Sequence, residues 1–224
     1  RKSSHANTQL SIHNHVVNKL KKHMNFLKKL FGLKNNNDVG NYIVATINDK
    51  IMPLDRGAIY GEPLEELLKS KGIGEVTGGG TMQLKSGELE YCDLEIKLNS
   101  NEINENDIQL IINKLEELGA PKGSKLTIEK TDQKIEFGHK EGLGIYIDGV
   151  NLDPEVYKNS DINFVISEIK KLTKDNSEIT KYWEGGNETA LYYYSDSFTE
   201  MKESIEEFVN SYPLCKGARI EQIA

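Results

Sequence analysis

The sequence predicts an α+β protein made of two consecutive βαββαβ modules with antiparallel sheets. Three observations support this prediction. The same order of six elements occurs twice between residues 41 and 224. Apolar residues recur with a period of two in the predicted strands and of about 3.6 in the predicted helices. A glycine-rich stretch accompanies the central hairpin of each half, at 78–80 and at 185–186.

The first half begins with a β-rich run, followed by a helix with strong boundary signals. Proline at position 63 is favoured at a helix start, and Gly72 is favoured just after a helix end. The connection at 84–87 has the composition of a hairpin turn. Residues 55–57 and 60–63 are predicted to form a loop. We expect a local ion pair between Asp55 and Arg56 there, with a clamp on a ligand as the alternative. The predicted elements are a strand over 42–47, a helix over 63–69, strands over 74–83 and 88–98, a helix over 105–118 and a strand over 126–128.

The second half repeats this order. Glycines 185 and 186 favour a hairpin because they adopt positive φ angles readily. Ser197 and Glu200 form a capping box, which predicts the start of the last helix. The predicted elements are a strand over 144–147, a helix over 161–173, strands over 179–183 and 189–195, a helix over 198–211 and a strand over 218–223. This order is that of the ferredoxin-like fold, so we predict one such module over 41–131 and a second over 132–224.

Residues 1–40 differ from this pattern. Residues 1–23 contain five basic residues, four of the five histidines and no acidic residue. We interpret them as foreign to the folded body: an added segment, an extension from an upstream start, or a transit peptide. Met24 then begins a stretch that resembles a natural N-terminus, with a short amphipathic helix over 24–32. We expect this helix to dock onto the protein's own core, with a membrane surface as the alternative. A polar linker follows.

The net charge of the chain limits the classes of partner that it is expected to bind. The whole chain has 28 basic and 35 acidic residues. Removing the five basic residues of 1–23 leaves 23 basic against 35 acidic, a net charge of −12 for residues 24–224. Such a field disfavours nucleic acid and anionic membranes, and it attracts basic protein partners. No apolar run approaches the roughly 20 residues that span a bilayer. We expect no membrane, nucleic-acid or cofactor partner.

Candidate site residues lie on predicted strands of both halves. Tyr91, Asp93 and Glu95 alternate on the polar face of one strand, which favours a solvated or partner-binding face. Two carboxylates in this spacing could also serve acid–base chemistry or hold a divalent cation. No further ligand is placed by the sequence to complete either arrangement. We therefore predict no catalytic residue and no metal site, with the metal as a minor alternative.

Aromatic residues mark the central strands of the second half. Trp183, Tyr192 and Tyr194, with Glu184, are predicted to anchor a protein interface, where Tyr and Trp dominate the binding energy. Aromatics on such a sheet could also stack RNA bases, but too few basic residues accompany them to hold phosphates. The glycine-rich run at 78–80 could in principle cradle phosphate. A strand follows it instead of a helix, so a bulge or a close approach of chains is favoured.

Two cysteines, Cys92 and Cys215, are too few for a disulfide framework and have no neighbour at a metal-ligand spacing. We expect two reduced, buried thiols in a cytoplasmic protein.

Several stretches resemble a family of small bacterial proteins, the immunity proteins encoded beside their toxins in polymorphic-toxin and contact-dependent growth inhibition loci. The stretches are Pro-Leu-Asp-Arg-Gly at 53–57, Gly-Glu-Val-Thr-Gly-Gly-Gly-Thr at 74–81, Glu-Tyr-Cys-Asp at 90–93, Tyr-Trp-Glu-Gly at 182–185, Tyr-Pro-Leu-Cys at 212–215, Arg-Ile-Glu-Gln-Ile-Ala at 219–224 and the start at 24–32. The resemblance implies an acidic cytoplasmic inhibitor that binds one cognate toxin domain, often a nuclease.

The predicted function is therefore non-enzymatic: an immunity protein that covers the basic active site of a toxin. The alternative is a sensor of a small ligand or metal, since tandem ferredoxin-like modules often bind metabolites between their sheets.

Overall fold

Two antiparallel sheets, each with helices packed on one face, make up the computed structural model, which describes residues 41–100, 102–175, 177 and 179–224. The predicted α+β class with antiparallel sheets is confirmed. The basic segment and the predicted helix over 24–32 lie outside the described residues. Within the described part of the chain, no helix combines the length and apolarity needed to cross a bilayer.

The larger sheet has six strands. They are β1 Asn41–Ile47, β2 Gly74–Gly78, β3 Thr81–Gln83, β4 Leu89–Leu98, β5 Ser124–Ile128 and β6 Gln133–Phe137. Their order is β2-β4-β1-β5-β6, with β3 pairing to β4 beside β2. The predicted run over 74–83 is therefore two strands, which pair with opposite ends of β4. Strand β6 was not predicted.

Helices cover one face of the larger sheet. They are α1 Pro53–Arg56, a π-helical turn Gly57–Gly61, α2 Glu62–Lys71 and α3 Glu105–Glu117. Buried residues alternate along β1, and Leu64, Leu68, Ile111 and Leu115 from α2 and α3 join the same core. The loop predicted over 55–57 and 60–63 is wrong, because these residues continue one helical run. The wide π turn precedes Pro63, which has no N–H to donate to a regular helix.

The smaller sheet has four strands in the order β10-β7-β9-β8. They are β7 Glu141–Asp148, β8 Lys181–Glu184, β9 Glu188–Ser195 and β10 Arg219–Gln222. Its helices are α4 Pro154–Asn159, α5 Ile162–Thr173 and α6 Phe198–Ser211, followed by a 3-10 turn Pro213–Cys215. Helices α5 and α6 bury Val165, Ile169, Met201, Ile205 and Val209 against one face of the sheet.

Local signals explain the helix ends. Asn104, Asp161 and Ser197 each accept a backbone N–H from the first turn of α3, α5 and α6. The predicted helix start at Ser197 is confirmed, since its side chain accepts from the N–H of Glu200, which is one of the two bonds of a capping box. Gly72 adopts φ 67°, the left-handed conformation expected after a helix.

Both cysteines are free and buried, as predicted, Cys92 in the core of the larger sheet and Cys215 in that of the smaller. Burial raises the pKa of the Cys215 thiol to about 11. A thiol with this pKa stays protonated at neutral pH and is a poor nucleophile.

Candidate functional site

Strand β4 carries the first three predicted site residues on the face turned away from α2 and α3. Tyr91, Asp93 and Glu95 are each half-buried, while the alternate residues Cys92, Leu94 and Ile96 are buried in the core. The alternation fails only at the start of the strand. There Leu89 is buried and Glu90 exposed, the reverse of the alternation along the rest of the strand, and a register shift against β3 accompanies the exchange.

The two carboxylates on this face bond to the neighbouring edge. Asp93 Oδ1 accepts the backbone N–H of Gly80 at 2.6 Å, and the two residues also exchange backbone hydrogen bonds. Glu95 Oε1 accepts from the Thr77 hydroxyl at 3.0 Å. Each carboxylate has further acceptor capacity after these bonds. Their local role is to hold the glycine-rich connection between β2 and β3 against β4.

The glycine-rich connection is part of the sheet. A Cβ at Gly79 would lie 2.2 Å from the backbone oxygen of Asp93, closer than any side chain tolerates. This fits the expected close approach of chains.

Two exposed apolar side chains lie on β3 and in the hairpin after it, at the edge of the sheet next to β4. Met82 pairs directly with Tyr91 across β3 and β4, and Met82 is 45 % exposed. Leu84, two residues along in the hairpin connection, is 41 % exposed. We call Met82, Leu84 and Tyr91 together the Met82–Leu84–Tyr91 patch. The sequence did not predict Met82 and Leu84 as site residues, because Met82 has the pattern of an ordinary strand residue and Leu84 that of a turn.

The second group of predicted residues lies elsewhere. Trp183, Tyr192 and Tyr194 share the face of the smaller sheet that is opposite α5 and α6, while Glu184 is exposed on the helix side. Tyr192 is only 2 % exposed. Its hydroxyl donates to Glu88 Oε1 at 2.8 Å, and the Tyr194 hydroxyl accepts the backbone N–H of Lys50 at 3.0 Å. These aromatic side chains therefore face the first half of the chain.

A buried polar network joins the two halves at this point. Asp49 is fully buried, and its Oδ2 accepts from the Tyr60 hydroxyl at 2.8 Å and from Lys181 Nζ at 2.5 Å. Lys181 Nζ also lies 4.5 Å from the centre of the Tyr194 ring. Burial, with the charge of Asp49, raises the pKa of both Tyr60 and Tyr194 well above the ordinary range. Both phenols are therefore neutral donors or acceptors.

A second part of the network surrounds Glu88. Its Oε1 lies 2.9 Å from Lys50 Nζ and accepts hydrogen bonds from Tyr146 and Tyr192. Burial opposes the charge of Glu88, but hydrogen bonds from Lys50, Tyr192 and Tyr146 more than offset it, so its pKa falls below the usual value. Neither Asp49 nor Glu88 could be singled out from the sequence, because Asp49 follows a predicted strand and Glu88 begins another, each among ordinary polar residues.

The described residues include no group of three or more His, Cys, Asp or Glu side chains placed to hold a metal ion. Asp93 and Glu95 therefore have no third such ligand within this part of the chain.

Comparisons with known proteins give weak similarity. No family model and no curated protein matches this chain. Among solved structures, the chain is similar to an unknown protein from Galdieria sulphuraria, with 12 % identity over 82 % of this chain and 96 % of that one and a TM-score of 0.25. It is also similar to a protein from Bacteroides thetaiotaomicron, with 8 % identity over 82 % and 92 % of the two chains and a TM-score of 0.22. At these scores the similarity supports no statement about function.

Proposed function

We propose that the chain is an acidic, non-enzymatic binding protein built from two ferredoxin-like modules, and that it acts as an immunity protein against a cognate bacterial toxin in the cytoplasm. The strand order supports the fold assignment. Within each half, the fourth, first, third and second strands of the βαββαβ order are neighbours: β5-β1-β4-β2 in the larger sheet and β10-β7-β9-β8 in the smaller. This is the order of the split βαβ arrangement.

The observation that carries the functional proposal is the patch formed by Met82, Leu84 and Tyr91. Exposed apolar groups beside polar ones mark protein-binding surfaces, and Met and Tyr are enriched in such surfaces. Asp93 and Glu95 lie on the same strand face as Tyr91 and supply an acidic border. The patch thus offers apolar anchors for affinity and charges for orientation.

Electrostatics support a basic partner. Residues 24–224 carry a net charge of −12 (23 basic against 35 acidic residues), and a toxin that cleaves nucleic acid needs a basic cleft. Opposite charges accelerate encounter and disfavour wrong partners, while the buried anchors set the lifetime of the complex.

The direct experiment combines this chain with the toxin domain encoded next to it. Co-expression should protect cells from the toxin, and the purified proteins should form a complex with nanomolar Kd. Tyr91→Ala and Met82→Glu should each weaken binding by about tenfold or more, because each removes an anchor from the patch.

Tyr182→Ala is the matched control, because Tyr182 is a tyrosine of comparable position on a strand and is 52 % exposed on the other sheet. It should leave Kd unchanged. A chain that neither protects cells nor binds the toxin would refute the immunity function. Binding that responds to Tyr182→Ala but not to Tyr91→Ala would refute the patch as the interface.

A further inference from the structure

A cleft of about 420 Å³ opens where the two halves meet, beside the buried Asp49 network. The π turn contributes Ile59 and Tyr60 to its lining, and the end of α3 contributes Leu118. From the second half come Lys140, Ile179, Lys181 and Tyr194. The volume lies within the range of small-molecule sites, which commonly occur between domains.

The polar groups at this cleft are held in place. Tyr60 and Lys181 both bond to Asp49, and Lys181 is also fixed against the Tyr194 ring. Side chains locked by such contacts form a preorganised surface, which lowers the entropic cost of binding. The π turn that presents Ile59 and Tyr60 is itself a rare element, found often at functional sites.

The lining indicates the chemistry of the ligand. Ile59, Leu118 and Ile179 supply apolar surface, and Tyr194 adds part of an aromatic ring. Lys140 supplies a cation whose present partner, Asp196, is 87 % exposed in its side chain. An ion pair that is so exposed to water contributes little binding energy, so the anionic group of a ligand can replace Asp196.

We propose that this cleft binds a small carboxylate with an apolar body, the carboxylate pairing with Lys140 and the body lying among Ile59, Leu118 and Ile179. This ligand site is separate from the Met82–Leu84–Tyr91 patch and does not depend on the toxin-binding function. A ligand bound at this site would regulate the protein, or be sensed by it, at the junction of the two halves.

The test uses three probes with the same body and different charge: 3-phenylpropionate, 3-phenylpropanol and 3-phenylpropylamine. Each is titrated into the 224-residue chain, with binding followed by amide chemical shifts. The carboxylate should bind with a Kd of about 1 mM or tighter and should move the amides of Ile59, Leu118 and Lys140. The alcohol and the amine should bind at least about tenfold more weakly.

Substitutions in the cleft lining show which side chains contact the probes. Lys140→Gln should weaken the carboxylate about tenfold while leaving the alcohol unchanged, because the variant removes one charge and keeps the apolar walls. Ile179→Trp should abolish binding of all three probes by filling the cleft. Lys158→Gln, a matched change on α4 outside the cleft lining, should change nothing. The proposal is overturned if no probe binds up to about 20 mM, if the three bind equally, or if Lys158→Gln has the same effect as Lys140→Gln.

Discussion

At Gly79 the backbone of the β2–β3 connection runs so close to β4 that no side chain fits. The nearest atom to a Cβ at this position is the Asp93 backbone oxygen, which is fixed by its hydrogen bond with Gly80. The two glycines that flank this contact serve different needs: Gly78 has open space around its Cβ position, and Gly80 meets the Asp93 carboxylate. Of the three glycines, Gly79 is therefore the one that packing requires, and the run does not serve mainly as a flexible loop.

We predict that Gly79→Ala lowers the free energy of unfolding by about 2 kcal/mol, since the backbone must shift to relieve the overlap. Gly78→Ala is the control, and it should change stability by less than about 0.5 kcal/mol. Urea denaturation followed by circular dichroism measures both. Equal effects of the two substitutions would contradict the close-approach account.

Tyrosines on the two sheets differ in their exposure to solvent. Tyr91 is half-buried on the outward face of the larger sheet, whereas Tyr192 is 2 % exposed and bonded to Glu88. Both lie on the face of their sheet opposite the helices, so neither the residue type nor the strand face decides which tyrosine is available to a partner. The decision comes from what covers each sheet face.

Elements of this chain form where local signals agree with packing. Helix α6 has Ser197 at its N-cap, Glu200 three residues later and Met201, Ile205 and Val209 buried on one stripe. The N-cap and the spacing of the apolar residues predict the same helix. For this reason its predicted span over 198–211 matches the observed one. Short elements lack this agreement. Strand β6 has two apolar residues in five, and α4 has six residues without a buried one.

We expect Ser197→Ala to destabilise the protein by about 1 kcal/mol, because the N–H of Glu200 loses its acceptor. Ser197→Asn keeps a side-chain oxygen at the same position and should cost only a few tenths of a kcal/mol. Thermal or urea unfolding of the three proteins distinguishes these outcomes. If alanine and asparagine were equally destabilising, the cap would not be the cause.

For the whole molecule, the decisive feature is the polar junction between the halves. Asp49 lies just after β1 and Lys181 begins β8, 132 residues apart in sequence. The side chain of Asp49 is fully buried and that of Lys181 is 15 % exposed. Removing one member of such a pair leaves a buried charge without its partner, which costs far more than the pair itself contributes.

Lys181→Met should therefore lower the free energy of unfolding by about 3–5 kcal/mol. Lys158→Met on α4 breaks an ion pair with Glu155 whose side chains are 72 % and 68 % exposed, and it should cost less than about 1 kcal/mol. A small loss for Lys181→Met, equal to that of the control, would show that the junction contributes little to stability. The double variant Asp49→Asn with Lys181→Met should recover part of the loss, because no buried charge remains.

The amino-acid sequence by itself determined the α+β class, the order of the long elements and the helix caps. These depend on apolar period and on hydrogen bonds between residues a few positions apart, and both can be read along the chain. Only the tertiary structure decided that Tyr192 and Tyr194 face the first half, that Met82 pairs with Tyr91 and stays exposed with Leu84, and that Asp49 meets Lys181. Such contacts arise when distant segments pack together, and the spacing of residues along the chain carries no record of which faces meet.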